Sequence, residues 1–284
     1  MKAAPFDYSR ALSLDEACAA LDDGATIIAG GQTLVPMMAM RLARPSHLID
    51  INDIEALRGI AESGGDVVIK SCTRQAAALA SLVVRERLPL LAKALPFVGH
   101  VQTRNRGTVG GSVALGDPSA EIPLVAVALG ARIALVSARV RREIAAGEFF
   151  KAPMETARAA NECLTDIAFP IWNGASRVGA GFQEVAERHG DFAVVAACAQ
   201  FGFDAGGVCR RAAIAVGGAG PAPVRVAEAE AILVGSRVDA AAVREAAARV
   251  DAAIDPTDDN HASAAYRRRV APVLVARAIE EARG

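Results

Sequence analysis

Two segments carry the residues best suited to chemistry. The first, AGGQTLVPMM (29–38), sets two consecutive glycines after a short apolar run. Without Cβ atoms the backbone there admits a ligand closely, and the following N–H groups at the positive end of a helix suit a diphosphate. The same pair also serves as a plain strand-to-helix turn. The segment is neither G-x-G-x-x-G nor a P-loop, so no Rossmann or Walker phosphate site is implied. The second, RNRGTVGGSVALGDPSAE (104–121), places Gly107, Gly110 and Gly111 among the hydroxyls of Thr108 and Ser112, with Asp117 and Glu121 beyond them. It offers close-approach amides and two carboxylates that can accept from ribityl or ribose hydroxyls, a flexible surface loop being the alternative. Two glycine-rich segments in one domain favour a shared dinucleotide cleft.

Other reactive side chains lack partners in the sequence. His47, His100, His189 and His261 have no Ser or Cys elbow nearby and no second His at i+3 or i+4, so each is expected on the surface or at a cap, and no triad is formed. Five cysteines occur without a C-x-x-C pair, which argues against disulfides and against a metal or iron–sulfur site held by this chain alone. Arg267 to Arg269 read as a solvated helix face or a subunit contact, and Gly217 to Gly220 as a tight connection ending a strand. With 31 Lys and Arg against 32 Asp and Glu, the net charge of −1 gives no basic footprint for nucleic acid or an anionic membrane. The opening MKAAPFDYSR has Asp7 and Arg10 where a secretory signal needs an apolar run. The uncharged stretch Gly24 to Met40 is shorter than the roughly 20 residues of a bilayer span. A cytoplasmic protein without a transmembrane segment is expected.

The elements that must position these segments follow from periodicity. Ala25 to Ala29 reads as a strand leading through Gly30 and Gly31 into a helix over Thr33 to Leu42 capped by Thr33. His47 to Ile51, Asp66 to Ser71, Arg132 to Ser137 and Cys163 to Pro170 read as strands. Helices are predicted from Thr73, from Leu88 and from Glu121. Pro170 to Ala175, PIWNGA, combines a helix breaker with the only Trp and a Gly, and marks a boundary near residue 172. Beyond it, two strands form a hairpin whose turn is set by Asp204, Gly206 and Gly207, and three helical segments finish the chain, roughly Val226 to Val234, Asp239 to Ile254 and Ser263 to Ala282. The class is α+β.

With these segments in place the sequence resembles the FAD-binding medium subunit of the molybdenum hydroxylases, the family of carbon monoxide dehydrogenase and the flavin domain of xanthine dehydrogenase. The matching strings are AGGQTLVPMMAMRLARPSHLIDI (29–51), GHVQTRNRGTVGGSVALGDPSAEIP (99–123), FQEVAERHGDFAVVAA (182–197), VGGAGPAPVR (216–225) and SAAYRRRVAPVLVARAI (263–279), in family order along essentially the whole chain.

The resemblance implies a PCMH-type, vanillyl-alcohol-oxidase-like FAD-binding domain over 1–172, made of two α+β subdomains (about 1–57 and 58–172). A small C-terminal domain of antiparallel sheet plus helices, like that of the carbon monoxide dehydrogenase flavoprotein, would cover 176–284. FAD would lie extended between them. Ala29, Gly30, Gly31, Gln32, Thr33 and Leu34 would wrap the diphosphate. Thr108, Gly110, Gly111 and Ser112 would meet diphosphate and ribityl from the other side, with Glu121 as the acidic contact and Asp117 as a second candidate. Leu164 matches a residue near the isoalloxazine. Gln183 matches a position that is Lys in some relatives, and a neutral amide there stabilises an anionic reduced flavin less than an ammonium does.

By the same resemblance this chain performs no substrate chemistry. A molybdenum cofactor in a large subunit would hydroxylate the substrate, and two [2Fe–2S] clusters in a small subunit would relay electrons. FAD in this medium subunit would pass them to an external acceptor, in an assembly expected to be a dimer of heterotrimers. No Cys-rich insertion for a further cluster is present. The rival readings are a self-sufficient flavin-dependent NAD(P)H reductase of the same fold, disfavoured by the C-terminal strings, and a scaffold without FAD, which has no physical need of two glycine-rich loops.

Overall fold

The computed structural model describes residues 2–284. The chain begins with β1 (Asp7–Arg10), α1 (Leu14–Ala19), β2 (Ala25–Ile28), α2 (Leu34–Ala39) and β3 (His47–Asp50), whose strands form a parallel sheet of order β1-β3-β2. Parallel pairing needs a crossover between partners, and α1 and α2 provide them. Ser13 caps α1 by accepting from Glu16 N at 3.2 Å, while Glu16 Oε2 accepts from Leu12 N at 2.8 Å. At α2 the expectation fails. The helix is only six residues long, and Thr33 makes no capping bond because its own backbone is already helical.

A second unit follows: β4 (Ile60–Ser63), β5 (Asp66–Lys70), α3 (Gln75–Ala80), α4 (Leu82–Arg87), α5 (Pro89–Ala94), α6 (Val101–Arg106), α7 (Val109–Leu115), α8 (Glu121–Leu129), β6 (Arg132–Val136), β7 (Arg141–Ala145), α9 (Ala146–Phe149), β8 (Phe150–Ala152), β9 (Glu155–Thr156) and β10 (Cys163–Pro170). Its main sheet has the order β4-β5-β10-β6-β7, with β10 central and buried almost end to end. The glycine-rich segment is not a loop but α6 and α7. α7 includes Gly110 and Gly111 despite their low helix propensity, because Thr108 caps it and its start is pinned to β5.

The C-terminal unit comprises β11 (Arg177–Val185), β12 (Val195–Phe203), β13 (Cys209–Gly217), β14 (Val224–Arg225), α10 (Ala227–Leu233), α11 (Ala240–Ala247), α12 (Val250–Ala253) and α13 (Ala264–Arg283). Its strands run antiparallel in sequence order. The hairpin turn forms as predicted, with Asp204 Oδ1 accepting from Gly206 N and Val208 N, both at 2.9 Å. The helix expected over Asp239 to Ile254 is broken after Ala247.

Both faces of this sheet are covered. Val195, Ala197, Ala199 and Phe201 of β12 face the C-terminal helices, while Ala196 and Cys198 join the core of the second unit. α8 lies between the two sheets with every residue buried, so the units share one apolar cluster. The connection is packed too. Ile171 N donates to Gly65 O at 3.0 Å, and the buried Trp172 stacks under Arg211 at 4.1 Å from its ring centroid.

Candidate functional site

The C-terminal end of β2, the start of α7 and the strand β10 converge on one cleft of about 630 Å³, within the range of small-molecule sites. Ala29, Gly30, Gly31, Gln32, Thr33 and Leu34 line one wall. Thr108, Gly110, Gly111, Ser112, Asp117 and Glu121 line another. Leu164 lines it as well, and the bulge that separates it from Asp166 in the register with β6 sets its place on β10. Side chains tie the two loops together: Asn52 Nδ2 donates to Ala29 O at 2.7 Å, and Arg74 donates both to Asn52 Oδ1 at 2.8 Å and to Arg106 O.

The loops divide the work unequally. The N–H groups of Gly30, Gly31, Gln32, Thr33 and Leu34 find no acceptor among the described residues, and Gly31 takes a left-handed φ of 69°. Five consecutive free donors around such a residue make a concavity for an anion. At α7 the expected amide donors are engaged by protein. Val109 N donates to Thr73 O, Gly110 N to Ser71 O and Gly111 N to Thr108 Oγ1, each at 2.9 Å, and Ser112 N to Thr108 O at 3.2 Å. What this wall offers is the Ser112 hydroxyl, the Thr108 N–H and carboxyl groups.

The glycines have a related division. A Cβ on Gly30 would meet Arg106 O at 2.6 Å and Gly107 Cα at 2.8 Å, and one on Gly110 would meet Ser71 Cα at 2.5 Å and Ser71 O at 2.7 Å. Both residues let backbone cross backbone. They shape the cleft rather than leave room for a ligand.

The acids sit deep. Asp117 Oδ1 accepts from Ser119 N at 2.8 Å, and burial raises its pKa. Burial pushes Glu121 up to about 7. Its carboxyl makes no hydrogen bond to another side chain among the described residues. Gln183 is elsewhere: its amide donates to Glu281 Oε2 at 2.9 Å, and it does not line the cleft.

Sequence reasoning missed several lining residues. His100 and His261, expected on the surface or at a cap, are exposed, with His100 at the N-cap of α6, and both also line the cleft from different units, as do Arg158 and Phe192. Arg158 Nη1 donates to Glu162 O at 2.8 Å, which holds a cation at the rim. Arg267, expected on a solvated face or at a subunit contact, is instead buried within the chain and donates to Val194 O, Thr257 O, Ala262 O and Asp259 Oδ2. It thereby fixes the segment bearing His261. No single-segment motif contains these residues, since the fold brings them together from afar. No group of three or more potential metal ligands occurs among the described residues, and no helix among them is long and apolar enough to cross a membrane.

A cleft with an anion concavity facing hydroxyl- and carboxyl-bearing walls fits a dinucleotide, and the comparisons specify which. Residues 4–172 match the FAD binding domain in molybdopterin dehydrogenase, and residues 180–282 match the CO dehydrogenase flavoprotein C-terminal domain. The chain belongs to the FAD-binding medium subunits of the molybdenum hydroxylases, an oxidoreductase flavoprotein family. It is 37% identical to the 6-hydroxypseudooxynicotine dehydrogenase complex subunit alpha of Paenarthrobacter nicotinovorans, over 99% of this chain and 96% of that one. It is 34% identical to the carbon monoxide dehydrogenase medium chain of Afipia carboxidovorans, over 98% and 96%. Among solved structures, carbon monoxide dehydrogenase from Hydrogenophaga pseudoflava superposes with a TM-score of 0.95 at 35% identity, over 99% of this chain and 98% of that one.

Proposed function

We propose that this FAD-containing medium subunit works in a cytoplasmic heterotrimer, paired as a dimer of heterotrimers. A small subunit with two [2Fe–2S] clusters would deliver electrons taken from substrate at a molybdenum cofactor in a large subunit. The reading rests on one observation above others, the row of free N–H donors from Gly30 to Leu34 facing the Ser112, Asp117 and Glu121 wall across a single cleft. Bound FAD supplies the exchange between one-electron donors and an external acceptor.

In this reading Ala29 to Leu34 hold the diphosphate. Ser112 and Glu121 orient the sugar hydroxyls, Thr108 props Gly111, and Leu164 excludes water from the flavin. Gln183 acts on the seam between domains through Glu281. The flavin-binding domain takes 1–172, with subdomains near 1–57 and 58–172, and the C-terminal domain takes 176–284. The related medium subunits serve dehydrogenases of 6-hydroxypseudooxynicotine, glyceraldehyde and carbon monoxide, and in this reading the partner subunit sets the substrate.

Purification from the native host tests the whole reading. Flavin and iron–sulfur absorbance with one larger and one smaller co-purifying chain is expected. A lone yellow chain that oxidises NADPH would overturn it.

A further inference from the structure

Arg158 has no counterpart in the cleft. Of the described residues that line it, Arg158 is the only Lys or Arg, against the four carboxyl groups of Asp117, Glu121, Glu187 and Asp191. The residue is half-buried, and its Nη1 donates to Ala159 O at 3.1 Å and to Glu162 O at 2.8 Å. Among the described residues its Nε and Nη2 find no acceptor, and no carboxylate forms an ion pair with it.

The turn that holds this guanidinium is braced from behind. Glu162, buried just before β10, takes Arg142 in a two-pronged pair, Nε to Oε1 at 2.5 Å and Nη2 to Oε2 at 2.7 Å. The same Oε2 accepts from Ala159 N at 2.7 Å, and Glu162 N donates to Ala159 O at 3.0 Å. The two carbonyls that grip Arg158 are thereby fixed, and the one carboxylate of the turn is already paired with Arg142. Cys163, the next residue, shares an apolar cluster with Ala25, Ile27 and Ala29. The start of β10 and β2 thus belong to one small core, and β2 runs directly into the free N–H row from Gly30 to Leu34. Thr26, Ile27, Ile28, Cys163 and Leu164 line the cleft together with Arg158.

We propose that Arg158 pairs with the diphosphate of the bound flavin nucleotide through its free Nε–H and Nη2–H groups, adding a full positive charge to the partial charges of the amide row. This rests on the FAD reading of the cleft. A diphosphate dianion entering among carboxyl groups is stabilised by a counter-charge, and a planar guanidinium matches phosphate oxygens with two parallel donors. Because Arg158 already rests on two carbonyls, it gives up little freedom on pairing. The neighbouring arginines are not available for this role. Arg74, Arg104 and Arg106 do not line the cleft, and Arg74 is tied to Asn52 Oδ1 and Arg106 O, as Arg104 is to Val98 O and Gly99 O.

The test is FAD affinity of the deflavinated full chain, read by quenching of flavin fluorescence, from about 0.02 to about 0.5 M NaCl, a range over which salt comes to screen a pair at a cleft wall. Affinity of the unaltered protein should fall severalfold across that range. Arg158→Gln should bind about tenfold more weakly at the low-salt end and lose most of the salt response, whereas Arg158→Lys, which keeps the charge, should retain the response. Melting temperatures of the deflavinated proteins show that the variants fold. Unchanged affinity in Arg158→Gln would overturn the pairing. So would a weakened affinity with the salt response of the unaltered protein, because neutral packing would then account for the loss. If Arg158→Gln does not fold, the unaltered chain and Arg158→Lys decide by their own salt response, and an affinity indifferent to salt overturns the pairing. An unaltered chain that binds no FAD at any salt concentration would instead sink the FAD reading itself, and the pairing with it.

Discussion

At the scale of single residues, the glycines of the second loop separate folding from binding. Gly110→Ala drives a methyl group into the Ser71 backbone and should lower unfolding free energy by about 2–3 kcal/mol, measured by urea denaturation without FAD. Gly111→Ala meets only Thr108 Oγ1, at 2.8 Å, and a helical Ala gains over Gly, so stability should stay within about 1 kcal/mol. A reversed order would refute the packing assigned to Gly110. Thr108→Val removes the α7 cap and should cost about 1 kcal/mol in the same assay. The glycine signal was legible in the sequence but its cause was not. That Gly110 faces Ser71 depends on β5 lying under α7, a contact between segments nearly forty positions apart.

Among the elements, β10 and α8 could be read directly because each is an apolar run bounded by breakers and long enough for its type. α7 could not, because tertiary capping overrides the propensity of its glycines. The break between α11 and α12 lies in an Ala-rich stretch where nothing local marks it. Buried α8 gives a large expected effect: Leu124→Ala should destabilise by about 2–5 kcal/mol in equilibrium denaturation. The segment carrying His261 is held by Arg267. Despite some burial, the N–H groups of Ala262 and His261 and the Arg267 guanidinium hold Asp259 at about 2. A carboxylate whose folded value is depressed contributes stability that is present above about pH 4 and lost as pH falls toward 2. Arg267→Met should therefore lower the melting temperature at pH 7 and shrink its fall between pH 4 and pH 2. An undiminished acid fall would show that the pair is not responsible.

For the molecule as a whole, the shared cluster around α8 joins the two domains into one cooperative unit. Scanning calorimetry of the full chain should show one transition whose calorimetric and van't Hoff enthalpies agree, and two separable transitions would contradict the continuous core. The domain order was legible from the motifs, whereas the continuity of the core was not, since the nearly unbroken apolar run of β12 tells that both faces are covered but not by what. This continuity governs how the cleft behaves. The α7, β10 and C-terminal walls belong to one packed body with no hinge between them, while the Ala29–Leu34 wall, on the first unit with its own apolar cluster, is tied to them through Asn52 and Arg74. Small-angle scattering should give the same radius of gyration with and without FAD, and for oxidised and reduced protein. Under the proposed flavin reading, electron transfer across a cleft held in this way needs no motion of the C-terminal unit between turnovers, so its pace is left to cofactor spacing and to the arrival of the acceptor.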